Sequence, residues 1–241
     1  RGLGDVYKRQ DNMIITIHEN PTVGITPNPA IGCENDTLYL NGNPAGGTLP
    51  YTHLWTGANT TPLSAVNIAD PTFISANDGL YDYIYRVTDT YGCWAEDNIT
   101  VEINDNPIAA ITPDPAEICA NDTLPLFGNP AGGSGNYTNH LWTGDSVYLD
   151  DPFIQNPEFY APALPIAINL TYTVTDDNGC EGSDNIAITI NGLPKPDASA
   201  EPDTVCEGGD VVLSCTPGSY PTYQWSGPDS YTFNQPEDTL Y

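Results

Sequence analysis

Polar and apolar side chains alternate along "YDYIYRV". Tyr81, Tyr83, Tyr85 and Val87 fall on one face, with Asp82, Ile84 and Arg86 on the other. The same period of two runs through Ile99, Val101 and Ile103, through Ile168, Leu170, Tyr172 and Val174, and through Ile186, Ile188 and Ile190. Leu38 and Leu40 share a face in "TLYL". Period two is the mark of a strand with one buried face, because successive side chains point to opposite sides of the sheet. Between these runs lie "GNPAGG", "TPNP", "TPDP" and "DTYG". Their Gly, Pro and Asx residues set turns. No stretch carries helical periodicity with caps. The pattern predicts an all-β chain of short antiparallel strands.

The pattern repeats. "PTVGITPNPAIGCENDTLYLNGNPAGG" from Pro21 returns as "PIAAITPDPAEICANDTLPLFGNPAGG" from Pro107. "YTHLWTG" returns as "YTNHLWTG", "YRVTDTYGC" as "YTVTDDNGC", and "DNITVEIN" as "DNIAITIN". Trp55 and Trp142 are 87 apart, as are Cys93 and Cys180, while Cys33 and Cys119 are 86 apart. A fixed period of this kind marks tandem structural units, and seven or so strands in each is the size of a β-sandwich. Two complete units are expected, 21–106 and 107–193. Residues 11–20 read as the last strand of a preceding unit, and 194–241 as the opening part of a third.

A Cys before a "TLxL" strand, then a Trp, then "Y-x-V-T-D-x-x-G-C" resembles the tandem immunoglobulin-like and PKD-like repeats of large secreted or surface proteins of Bacteroidetes-type bacteria. "CEGGDVVLSCTPGSYPTYQWSGP" in the third unit is most similar to an immunoglobulin-like domain, with Cys215 and Trp225 as its strand-B Cys and strand-C Trp. The resemblance implies antiparallel sandwiches in an elongated rod, placed extracellularly or on the cell surface. It implies a spacer or adhesive stalk whose partners are adjacent repeats and an extracellular glycan or protein ligand. An accessory carbohydrate-binding region of a secreted hydrolase is the alternative. PKD-like domains often carry "W-x-F-G-D-G" where this chain has only "LWTG".

Charge narrows the partners. The formal net charge is −27, with 32 acidic residues against five Lys and Arg. Arg1, Lys8 and Arg9 are three of the five, and they lie in "RGLGDVYKRQ". "DVYKRQ" is the translation of GAT GTG TAT AAG AGA CAG, which resembles a sequencing-library adapter, so residues 1–10 are set apart from the fold. The remainder is almost purely acidic. Such a surface repels nucleic acid and anionic lipid and attracts divalent cations. No apolar run is long enough to cross a membrane as a helix.

No motif for a catalytic nucleophile, zinc hydrolase or phosphate loop is present, so no enzyme activity and no cofactor are expected. Ca²⁺ is the exception to weigh. Asp176, Asp177, Glu181 and Asp184 crowd one hairpin, and Asp89, Glu96 and Asp97 crowd its counterpart. Ca²⁺ takes six to eight oxygens. The competing reading is an Asp that bonds its own turn. Trp94, whose counterpart is Glu181, is the ligand candidate. Trp55, Trp142 and Trp225 read as core residues, and His53 and His140 beside them as structural.

Six cysteines, Cys33, Cys93, Cys119, Cys180, Cys206 and Cys215, suit an oxidising compartment. Two pairings stand. One closes each unit, Cys33–Cys93 and Cys119–Cys180. The other crosses the junction, Cys33–Cys180. In the immunoglobulin-like topology the turn before strand B and the F–G turn lie at opposite ends of a sandwich. A disulfide needs Cα atoms within about 7 Å. The distance argument tilts the expectation to the second pairing, a daisy chain of links along the stalk.

Overall fold

The computed structural model describes residues 12–206, 208–216, 222–226, 232–233 and 237–240. The expectation for residues 1–10 lies outside them.

The first unit places eight strands in order. They are β1 (Pro21–Thr22), β2 (Ala30–Cys33), β3 (Leu38–Tyr39), β4 (Ala45–Gly46), β5 (Thr52–Gly57), β6 (Thr72–Phe73), β7 (Gly79–Thr88) and β8 (Trp94–Asn104). One sheet has the order β2-β8-β7-β5, with β2 parallel to β8 and the other pairs antiparallel. β3–β6 and β1–β4 pair separately. The alternation seen in the sequence is the burial pattern. Tyr83, Tyr85, Val87, Ile99, Val101 and Ile103 are buried, and they pack with Leu40, Trp55 and Phe73.

The second unit repeats the plan with β9 (Pro107–Ile108), β10 (Ile111–Thr112), β11 (Ala116–Cys119), β12 (Thr123–Pro125), β13 (Phe127–Gly128), β14 (Ala131–Gly132), β15 (Tyr137–Gly144), β16 (Glu158–Tyr160), β17 (Ala167–Asp176) and β18 (Glu181–Asn191). Its main sheet runs β11-β18-β17-β15, again with β11 parallel to β18. Trp142, Tyr172, Ile168, Leu170, Val174, Ile186, Ile188 and Ile190 belong to a core separate from the first. The two units are tandem β-sandwiches. The 3₁₀ turn Ser146–Tyr148 is the helical segment among the described residues.

Each core Trp is held in the same way. Nε1 of Trp55 donates to the Ile68 carbonyl at 2.9 Å, and that of Trp142 to Ile154 at 3.0 Å. Each ring lies 4.7–4.8 Å from the ring of Tyr85 or Tyr172. Those tyrosines meet Nδ1 of His53 and His140 at 2.7 Å. Burial raises the pKa of both phenols to about 12, and it lowers that of His140. The histidines are therefore part of the packing, as expected.

Residues 12–20 differ from the expected strand. They enter no strand pair, and Met13, Ile14, Ile15 and Ile17 are exposed, while His18 stacks on Tyr91. A lone strand has no ladder or apolar face to complete it. In the third unit β19 (Asp197–Glu201) and β20 (Val211–Thr216) form an antiparallel pair, which β23 extends after the short β21–β22 pair (β21, Trp225–Ser226; β22, Thr232–Phe233; β23, Glu237–Leu240). β19 is exposed throughout.

Candidate functional site

The hairpin between β7 and β8 is built around Asp89. Its Oδ1 accepts the backbone N–H groups of Tyr91 and Cys93, both at 2.9 Å, and its Oδ2 accepts Thr48 N–H at 3.0 Å. Gly92 has φ +82°, the left-handed conformation that closes the turn. Asp176 does the same work in the hairpin between β17 and β18. Its Oδ1 accepts from Asn178 and Cys180 and its Oδ2 from Ser134, with Gly179 at φ +84°. Asp89 is 5% exposed and Asp176 1%. The Asp-x-x-Gly-Cys spacing thus fixes the cysteine backbone in both turns.

The other carboxylates are committed elsewhere. Asp97 Oδ2 accepts from Ile25 N–H and Asp184 Oδ2 from Ile111 N–H, which ties the first edge of each unit to its last strand. Glu96 pairs with Arg86 at 2.6 Å. Glu181 accepts from Thr175, and Asp177 accepts from Asn136. The carboxylates expected to gather for Ca²⁺ lie both in the turns and along the strands and are turned to N–H and O–H donors. Among the described residues no group of three or more His, Cys, Asp or Glu side chains is placed to hold a metal ion. Calorimetry should accordingly show the same small shift in melting temperature from about 5 mM Ca²⁺ as from Mg²⁺. A shift several degrees larger for Ca²⁺ alone would demand a site built from these residues.

Burial pushes the Asp89 carboxyl up, but the N–H donors of Thr48, Cys93 and Tyr91, with His18 nearby, outweigh it and hold the carboxyl below its ordinary range. Side-chain bonds from Ser134 and Asn136 lower Asp177 likewise. A depressed carboxylate contributes stability above its unfolded pKa, near 3.9, and that stability is lost as pH falls through the folded value. The melting temperature should therefore hold from pH 8 to about 7, decline slightly toward pH 5 as the unfolded chain protonates His140, whose folded pKa is lowered, and fall steeply below about pH 4. Asp89→Asn should lower it at pH 7 and flatten the acid limb. An unchanged acid limb would remove Asp89 from this role.

Trp94 is the first residue of β8, opposite Thr88, and is 51% exposed. The guanidinium of Arg86 lies 4.6 Å from its ring centroid, so one face is occupied by a cation–π contact. Tyr91 stacks on His18 at 3.6 Å. Tyr39 is exposed, but it lies on β3, away from the main sheet. These aromatics do not share one sheet face.

The junction between the units is the most constrained surface feature. Cys33 ends β2 opposite Asn104, the last residue of β8. Cys180 closes the hairpin of the second unit. The two form a disulfide, with Cα atoms 5.5 Å apart at a sequence separation of 147. Only Asp105 and Asn106 separate β8 from β9. Asn106 Nδ2 donates to the Glu34 carbonyl at 3.2 Å, and Gly133 N–H, at φ +58°, donates to Asp105 Oδ2 at 3.3 Å. Beside them is an open cleft of about 410 Å³, lined on one side by Asp78, Glu102 and Asp105 and on the other by Ser134 and Asn178. The within-unit pairings Cys33–Cys93 and Cys119–Cys180 do not form, since Cys33 and Cys180 are joined to each other. The strand-end cysteine and the hairpin cysteine stand at opposite ends of each sandwich.

No family model matches the chain, and no curated protein matches it. Among solved structures, it is similar to the titin I-band fragment I67–I69, at 14% identity and TM-score 0.42 over 91% of this chain and 82% of that one. It is also similar to the fibronectin(III)-like modules of Clostridium thermocellum CbhA, at 13% identity and TM-score 0.35 over 71% of this chain and 95% of that one.

Proposed function

We propose that this chain is a non-catalytic repeat region of an exported bacterial surface protein and serves as a spacer or adhesive stalk. In this reading 21–106 and 107–193 are complete units, 11–20 carries the closing segment of a preceding one, and 194–241 opens an immunoglobulin-like unit. The observation that carries it is the junction. A two-residue linker, the hydrogen bond from Gly133 N–H to Asp105 across it and the Cys33–Cys180 bond hold consecutive sandwiches in one geometry. A spacer depends on such a fixed geometry. The disulfide supports an oxidising compartment, and the acidic surface keeps a long array soluble.

Small-angle X-ray scattering of the chain is the test. An 11-residue strand spans about 37 Å, so two units end to end should give a maximum dimension of at least about 80 Å. A compact particle below about 60 Å would end the stalk reading. Binding of the same sample to a panel of polysaccharides at micromolar affinity would favour the carbohydrate-binding alternative.

A further inference from the structure

The bonded cysteines have exact counterparts one repeat away that are unbonded. Cys119 stands to the second unit as Cys33 does to the first. It ends β11 opposite Asn191, as Cys33 ends β2 opposite Asn104, and its carbonyl accepts Asp122 N–H as that of Cys33 accepts Asp36 N–H. Cys93 stands to the first unit as Cys180 does to the second. Both accept a backbone bond from the turn Asp, Asp89 N–H at 2.9 Å and Asp176 N–H at 3.0 Å. Both donate to that Asp's Oδ1 at 2.9 Å. The loops have the same form whether or not the sulfur is bonded, so the geometry is built in before the bond is made.

Coverage supplies a second, independent observation. Cys180 is 1% exposed at the junction, while Cys93 is half-buried and Cys119 is exposed. Beside Cys119 is a recess of about 540 Å³ lined by Glu117, Ile118, Asp122, Thr123 and Asn191. The matching end of the first unit is where the second unit sits. None of the described residues of the third unit lines that recess, and residues 192–196, which separate β18 from β19, are exposed.

We propose that Cys93 and Cys119 are the outward halves of the same cross-junction bond, each closed by an adjoining unit of this repeat. Cys119 takes the Asp-x-x-Gly-Cys hairpin of a following unit, and Cys93 takes the strand-end cysteine of a preceding one. The bond forms by thiol–disulfide exchange with a small disulfide such as oxidised glutathione. The Cys119 thiolate attacks it and releases one glutathione thiol. The partner thiolate then attacks the mixed disulfide and releases the second. Two protein thiols are oxidised and one disulfide is reduced to two thiols. Where the connection is as short as Asp105–Asn106, it supplies the partner at high effective concentration.

The inference rests on the stalk reading only for its oxidising compartment. The test supplies the oxidant in vitro, so failure of the one is distinguishable from failure of the other. Two variants of the full chain are made. The first carries a second copy of residues 105–191 inserted after Asn191, which recreates the Asp105–Asn106 linker. The second carries a second copy of residues 21–106 inserted after Asn20. Each insertion adds two cysteines to the six of the chain. After refolding with oxidised and reduced glutathione, each variant should keep Cys33–Cys180 and gain one new bond. Free thiols in denaturant should then number four of eight, against six if Cys33–Cys180 alone forms. Non-reducing peptide mapping should join Cys119 to the inserted Cys180 in the first variant and Cys93 to the inserted Cys33 in the second. Changing that inserted cysteine to Ser should return Cys119 or Cys93 to the alkylated pool. Six free thiols with Cys33–Cys180 intact, or Cys119 joined to Cys206 or Cys215, overturns the proposal. Because each variant tests one half, a misfolded insertion at one end leaves the other decisive.

Discussion

Trp142→Ala should lower the melting temperature of the second unit by about 20 °C and leave the first unit's transition where it is. The side chain is 1% exposed, and its loss opens a cavity in a core that includes Tyr172, Leu170 and Ile186. Truncating a buried Trp costs about 3–5 kcal/mol. In a unit of this size each kcal/mol moves the melting temperature by roughly 4–8 °C. The core has little freedom to close over the gap. Tyr172 is fixed by its bond to His140, and Gly128 lies so close beneath it that a Cβ there would come within 2.4 Å of the ring. Scanning calorimetry resolves the outcome, because the two cores are separate clusters. A shift under about 5 °C, or equal shifts of both units, would contradict this account of the core.

The double variant Cys33→Ser/Cys180→Ser should remove about 5 kcal/mol from the free energy of unfolding both units together. In the chain-entropy model the stabilisation grows with the logarithm of the closed loop, and this loop is long, at a separation of 147 residues. Most of the loss should appear in whichever unit unfolds first, because Cys33 lies opposite Asn104 and the bond already closes a loop of one unit's length when that unit alone is unfolded. The second transition bears only the small logarithmic remainder. The junction itself keeps only its linker and the Asn106 and Gly133 hydrogen bonds. Spin labels on the two units should therefore give a narrow distance distribution in the parent chain and a broad one in the variant. Unchanged width would mean that the linker alone sets the geometry.

The long strands were legible because one buried face imposes a period of two over ten or eleven residues, as in β7, β8, β17 and β18. Two-residue strands such as β1 and β4 carry no period, and their partners across the sandwich create them. The parallel pairing of Ala30–Cys33 with Val101–Asn104 joins segments about 70 residues apart, and nothing local in either announces the other. It nevertheless decides the disulfide, because it carries Cys33 to the end of the unit where the next one begins. The carboxylate clusters were visible, but their direction was not. "GNPAGG" read only as a turn, yet it leads into the Thr48 and Ser134 N–H groups that occupy Asp89 and Asp176. A donor that arrives from about 40 residues away leaves no local signal, and it is why a row of acids here is a brace for a hairpin.

The Cys33–Cys180 bond also decides how the chain carries tension. When the two ends are pulled apart, force enters through residues up to Cys33, crosses the disulfide and leaves through Cys180 and β18. The segment between, which holds most of both cores, is a side loop off the load path. Fully extended it would span about 500 Å, and none of that length can be paid out while the bond is intact. What bears the force is a short covalent bypass pinned by two parallel ladders, β2 along β8 and β11 along β18. Unfolding of either sandwich then costs the tether almost no reach.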